Sequence, residues 1–262
     1  MARQFVPSGL VVLAVLASAC EKDIPIVEVK GECADVFKGQ ICTWAHMKGT
    51  DVVDVGATIP VASVENAPNT PDMACPPVAL ARLAVPMEAQ QASGVTQLTV
   101  YWEAAGHPPG PYMTPHFDFH FYTIAPADQA AIDCKDDAKP AALAAGYSLP
   151  DQDLPPDMAK MIGTAKLVGI CVPGMGMHSL PTAELESKDP FKGDMVVGYY
   201  HAKPIFLEPM ISRASLLEKK AMDFPVPTVP GLTGSFPRKW HADYDSTTQS
   251  YRFIFSGFTP GT

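Results

Sequence analysis

The sequence predicts a β-rich α+β fold: a single domain of antiparallel hairpins closing as a barrel or sandwich, with small helices at the periphery. Three observations lead there. The 262 residues include 27 Pro and 19 Gly but only 18% charged side chains, a composition of turns and short connections rather than long helices. Runs rich in β-branched and aromatic residues recur from Val95 onward, each bounded by turn-forming residues. In the most regular run, His116, Asp118, His120 and Tyr122 alternate with Phe117, Phe119 and Phe121, which is the period of a strand with one aromatic and one ionisable face.

The chain opens with Met1-Ala2-Arg3-Gln4, an apolar run from Gly9 to Ala19, and then Cys20. That order predicts a signal peptide over residues 1–19. The apolar run is too short to cross a hydrocarbon core as a helix, which takes ~20 residues, so it is not expected to persist as an anchor. Leu16, Ala17, Ser18 and Ala19 resemble the lipobox that precedes an acylated cysteine. Lipidation at Cys20 would hold an extracytoplasmic domain to a membrane of the bacterial cell envelope. An ordinary secretory signal cut nearby is the alternative.

Cysteine usage agrees with export. With Cys20 acylated, Cys33, Cys42, Cys75, Cys134 and Cys171 remain, an odd number. A Cys33–Cys42 disulfide closing a short loop is expected, Cys134 and Cys171 are the second candidate pair, and Cys75 is left as a free thiol. Residues 20–49 are expected to form a lipid-anchored linker and N-terminal arm ahead of one β-rich domain at 50–258. Pro68, Pro71, Pro76 and Pro77 mark a non-helical connector.

Within that domain, Val95 to Glu103 and His116 to Thr123 read as a long hairpin joined through the proline-rich loop after His107. Helical stretches are expected at Asp128 to Cys134 and Asp157 to Lys166, and a strand at Leu167 to Val172, before the glycine-rich loop Pro173 to His178. Met195 to Tyr200 and Pro204 to Glu208 form a second hairpin, stopped by Pro209. Ser212 caps a helix through about Ala221. Lys239 to Tyr244 and Tyr251 to Phe258 make the last hairpin.

A net charge of −9 with no basic stripe repels phosphate backbones, so nucleic acid is not an expected partner. Side chains with ligand chemistry gather at His107, His116, Asp118 and His120, at His178 in the glycine-rich loop, and at Glu208 near a strand end. Imidazole with carboxylate suits a divalent transition metal such as zinc, iron or manganese. In a strand, His116 and His120 lie ~13 Å apart at Cα and would have to act as opposed ligands. The expected metal set is therefore Asp118, His120, His178 and Glu208, with His107 or His116 as the catalytic base. The competing reading is a hydrogen-bonded polar face in which Asp118 fixes an imidazole tautomer.

Three functions follow from these alternatives. One is a metal-dependent enzyme or metal-binding protein of the envelope. Another is a non-catalytic, stress-related binding or scaffold protein that forms homo-oligomers through its sheet edges. The third is a carbohydrate- or lipid-binding groove lined by Tyr101, Trp102, Tyr112 and Tyr122. The sequence names no small-molecule ligand.

The blocks Gly106-His107-Pro108-Pro109, Pro115 to Tyr122 (PHFDFHFY), Gly176-Met177-His178 and Leu207-Glu208-Pro209-Met210 together resemble an exported bacterial family of unknown function, typified by a Thermus protein under extracytoplasmic-stress sigma-factor control. The likeness runs over roughly residues 50 to 258. It implies a β-rich fold, homo-oligomerisation and a link to envelope stress, with no established reaction. The family's signature positions correspond here to His107, His116, Asp118, His120, His178, Glu208 and Pro209. The chain departs from the pattern at Ser179, where relatives carry an aromatic residue, and at His201, where they carry a small one.

Overall fold

Alternation decides the architecture, because each long strand carries one face that must leave water. The computed structural model describes residues 24–71, 74, 77–232 and 235–260. The expected signal peptide, Cys20 and Cys75 lie outside the described residues. In chain order the strands are β1 (Ile26–Val36), β2 (Gly39–Lys48), β3 (Asp51–Pro60), β4 (Ala81–Ala84), β5 (Gln97–Glu103), β6 (His116–Tyr122), β7 (Tyr147–Ser148), β8 (Gln152–Asp153) and β9 (Lys166–Leu167). They continue as β10 (Met177–Pro181), β11 (Gly193–Tyr200), β12 (Lys203–Ser212), β13 (Met222–Pro225), β14 (Ser235–Phe236), β15 (Lys239–Asp245), β16 (Ser250–Ser256) and β17 (Thr259–Pro260).

Six strands form one antiparallel sheet in the order β1-β2-β3-β16-β15-β13, and seven form another in the order β4-β5-β6-β12-β11-β10-β7. The two sheets pack face to face through phenylalanine. The ring of Phe119 meets Phe253 edge-on at 4.9 Å, and Phe121 meets Phe255 at the same distance. All four rings are buried, as are Leu98, Val100, Leu207 and Ile211 around them. Each such side chain contributes about 1.5–3 kcal/mol when withdrawn from water. The result is a β-rich sandwich of antiparallel sheets. No α-helix among the described residues exceeds seven residues, and none is long and apolar enough to cross a membrane.

Several local expectations are corrected by the pairing. Residues 26–48, expected as strands or an extended arm, are strands: β2 pairs along β3 from Cys42 opposite Thr58 to Lys48 opposite Asp51, so the ladder runs across the boundary expected near residue 50. Pro209 does not end its strand. It faces Met195 on β11, and β12 continues to Ser212, while pairing with β6 passes over Glu208 and Pro209, where a proline has no N–H to offer. The strand expected at Leu167 to Val172 pairs only at Lys166–Leu167 before a 3₁₀ turn at Val168–Ile170. The helix expected through Lys166 ends at Ile162, because Gly163 adopts a left-handed φ of 85°. Ser212 caps its helix by accepting from the Ser215 amide, but that helix stops at Leu217.

Both expected disulfides are present, Cys33–Cys42 across the β1–β2 ladder and Cys134–Cys171 between the segments flanking β7 to β9. Two such bridges belong to an oxidising, extracytoplasmic environment.

Candidate metal centre

The second face of β6 turns away from the phenylalanine layer, and it is buried too. His116, His120 and Tyr122 are 0% exposed and Asp118 only 5%, so the polar row lies under cover and not in solvent. Sheet register brings the remaining groups to it. Phe206 faces Tyr122 and Met210 faces Asp118 across the β12–β6 pair, which sets Glu208 opposite His120. His178 arrives on β10, where it faces Gly198 on β11, which in turn faces Phe206. Gly198 is required there: a Cβ would collide with the Phe206 ring. Without one, that ring lies 4.6 Å from His120 and 5.3 Å from His178 and becomes the apolar wall between them.

Mutual distances divide six residues into two sets of three, His107 with His116 and Asp118, and His120 with His178 and Glu208. Within each set the potential ligand atoms lie within 4.8 Å of one another. Backbone carbonyls orient three of the four imidazoles. His107 Nδ1 contacts the Pro108 carbonyl at 2.9 Å, His116 Nδ1 the Thr114 carbonyl at 2.6 Å, and His178 Nδ1 the Ile170 carbonyl at 3.0 Å. A carbonyl only accepts, so each Nδ1 carries the proton, and in the neutral ring each Nε2 is left as a bare lone pair.

The Nε2 atoms of all four rings converge on one another and on carboxyl groups. The Nε2 atoms of His107 and His116 are 3.2 Å apart, and His116 Nε2 is 3.2 Å from Asp118 Oδ1. His120 Nε2 is 3.0 Å from Glu208 Oε2, and His178 Nε2 is 4.0 Å from the same oxygen. Close approach is not hydrogen-bond alignment. Asp118 Oδ1, Glu208 Oε2 and both ring nitrogens of His120 are buried with no hydrogen-bond partner among the described residues. A buried polar atom left in this state costs about 1–3 kcal/mol. A self-contained polar network would satisfy its members; these buried groups, with partners missing among the described residues, could hold a metal ion.

Burial dominates the electrostatics. It pushes the Glu208 carboxyl well above its usual range, helped by the neighbouring Asp118. Burial also lowers His120 to about 4 and draws His178 and His107 down. Asp118 moves the other way: burial opposes its ionisation, but His116 first, then His107 and His120, bring it to about 2. His116 is raised against burial by that same carboxylate. Burial thus favours the uncharged forms of Glu208, His120, His178 and His107, while Asp118 and His116 favour each other's charged forms.

A cavity of about 490 Å³ opens onto this centre, with His107, Asp118, His178 and Glu208 in its lining beside apolar Met158, Met161, Ile162, Leu167 and Met175. The segment from Ile170 to Gly176 forms part of the wall and is tied down at several points. Cys171 is bridged to Cys134, the Gly174 amide donates to the Ile132 carbonyl, Gln129 donates to the Gly174 carbonyl, and the Tyr122 hydroxyl donates to the Met175 carbonyl. The loop closes around His178 with Ser179 buried and its hydroxyl donating to the Ser148 carbonyl.

Not every expected site residue plays the part foreseen. Asp118 sits with His107 and His116 instead of in one set with His120. Tyr101, Tyr112 and Tyr122 are 2%, 0% and 0% exposed, so these rings do not line an open groove as a carbohydrate- or lipid-binding surface requires. His201 and His241 lie outside the centre, His201 against Asp136 and His241 between Asp223 and Asp243. Gly198, Phe206 and the Ile170 carbonyl give no local sign of their role, since each acts through a partner remote in the chain. Comparison of the chain with known protein families, with characterised proteins and with solved structures finds no match, so the geometry of the centre carries the functional argument alone.

Proposed function

We propose that the chain is a lipoprotein of the bacterial envelope, acylated on Cys20, whose sandwich binds a divalent transition metal and uses it in a metal-dependent reaction on a small, largely apolar molecule. The observation that carries this reading is the inward convergence of four imidazole Nε2 atoms on two buried carboxyl groups whose facing oxygens lack hydrogen-bond partners among the described residues. His120, His178 and Glu208 form a two-imidazole, one-carboxylate ligand set with Asp118 adjoining, a donor set suited to zinc, iron or manganese. Such an ion would supply Lewis acidity beside the cavity that His178 and Glu208 line. The apolar walls exclude water and hold the substrate, and His107, half-buried at the cavity, is the group placed to accept a proton.

Metal analysis of untagged protein tests the proposal. Stoichiometric zinc, iron or manganese is expected, with less metal bound per chain in His178→Ala and Glu208→Gln. No bound or bindable transition metal in a folded protein would overturn it.

A second reading, a non-catalytic stress-related scaffold, draws on β1. This eleven-residue strand lies at a sheet edge and exposes Ile26 (57%) and Val27 (51%), a template for pairing with another copy. A concentration-dependent oligomer dissociated by Val27→Lys would favour it. A monomer at all concentrations would remove it.

A further inference from the structure

We infer that the centre takes two divalent ions side by side, one on His120, His178 and Glu208 and the other on His107, His116 and Asp118, with the two carboxyl groups between them. This rests on the metal-binding reading and deepens it, because it turns His107 and His116 from proton acceptors into ligands.

Geometry separates the two positions. His116 and His120 are four residues apart on one strand, ~13 Å at Cα, so their rings cannot close on a single ion without bending the strand. Each nevertheless has its own complete set, since the ligand atoms fall within 4.8 Å inside each triad. The two triads also differ in origin. One is closed by the loop that returns His107 to the start of β6, the other by sheet register across β6, β12 and β10.

The carboxyl groups link the sets. Asp118 directs Oδ1 at His116 and Glu208 directs Oε2 at His120, and both carboxyl groups line the same cavity. One ion in the His120 set would leave the Nε2 atoms of His107 and His116 3.2 Å apart, with both Nδ1 atoms turned to backbone carbonyls. A second ion between those nitrogens and Asp118 would use both as ligands. Paired ions would supply charge stabilisation to both the attacking and the leaving oxygen of a displacement, and the cavity reaches both sets through His107 and Asp118 on one side and His178 and Glu208 on the other.

The test uses full-length protein, untagged, extracted in detergent, stripped with a chelator and reloaded with Co²⁺. Two Co²⁺ per chain are expected, with the magnetic signature of a spin-coupled pair. His107→Ala and His178→Ala should each retain one ion and show an uncoupled signal. His107 is half-buried at the cavity, so its truncation leaves the core filled, and circular dichroism verifies the fold of both variants. One ion per chain in the parent protein, unchanged by His107→Ala but lost in His178→Ala, would overturn the two-ion inference and leave the metal-binding reading standing. No bound ion in a folded parent protein would sink both.

Discussion

The two triads of the centre are built in different ways. His107, His116 and Asp118 belong to one hairpin: the loop after β5 carries His107 back to β6, with the His107 amide donating to the Tyr112 carbonyl and the Tyr112 hydroxyl donating to Asp194. His120, His178 and Glu208 come from three strands and depend on the β6–β12 and β10–β11 registers, on the missing side chain at Gly198, and on the Ile170 carbonyl held beside a disulfide. A triad made within a hairpin survives changes elsewhere in the sheet. One made across the sheet is only as precise as every pairing between its members.

The largest effect should come from Gly198→Val. Its side chain would drive Phe206 out of its place beside His120 and His178, at a cost on the order of 3 kcal/mol. Denaturant unfolding measures the loss, and metal titration should show the cross-sheet triad abolished while the hairpin triad still binds. Equal loss at both would mean the two are not built independently.

Glu208→Gln keeps the shape and removes the charge. Metal affinity at the cross-sheet triad should fall at least ~100-fold, read by competition with a chelator, while the hairpin triad keeps its ion. The metal-free protein should lose little stability, because burial already disfavours the charged form of Glu208 and the amide is neutral.

Opening the Cys134–Cys171 bridge by Cys134→Ser should act on one triad only. Freed from Cys134, the Ile170 carbonyl loses its fixed position against His178 Nδ1, and affinity at that triad should fall ~10–100-fold, as for other outer-shell partners. Cys33→Ser is the control. Removing that bridge should cost ~2–3 kcal/mol of stability with metal affinity unchanged.

The smallest effect concerns the support of the hairpin triad. Burial raises the Asp194 carboxyl from 3.8 to about 7, with Tyr112 bonded to it. A carboxyl raised on folding binds its proton more tightly in the native state, so stability is greatest below pH 3.8 and falls as pH rises toward about 7. Asp194→Asn removes that slope and still accepts from Tyr112. It should stabilise the chain at pH 8 by about 1–3 kcal/mol relative to its effect at pH 4, measured by urea unfolding at both values.

Much of this was legible in local pattern. The alternation of His116 to Tyr122 announces a two-faced strand, and the spacing of His116 and Asp118 already places both on its ionisable side. The hairpins around Glu103 and His116, around His201 and around Asp245 are visible in β-type runs with turn residues between them, and the Cys33–Cys42 bridge in a nine-residue spacing, whereas nothing local joins Cys134 to Cys171. What local pattern misread shares one cause. Pro209 looked like a strand end because its missing N–H is a local fact, whereas the ladder that tolerates it belongs to β11. Residues 26–48 looked like an arm because their partner, β3, lies on the far side of an expected boundary.

The sequence by itself therefore determined the class of fold, the two faces of β6, the donor chemistry of the centre and the residues that could join it. Only the tertiary structure decided which of them stand together. Side-chain type and period are properties of neighbouring residues, whereas the placing of Glu208 opposite His120, and of His178 beyond Gly198, depends on registers between strands far apart in the chain. A slip of one residue in either pairing would have turned those groups to the opposite face of the sheet.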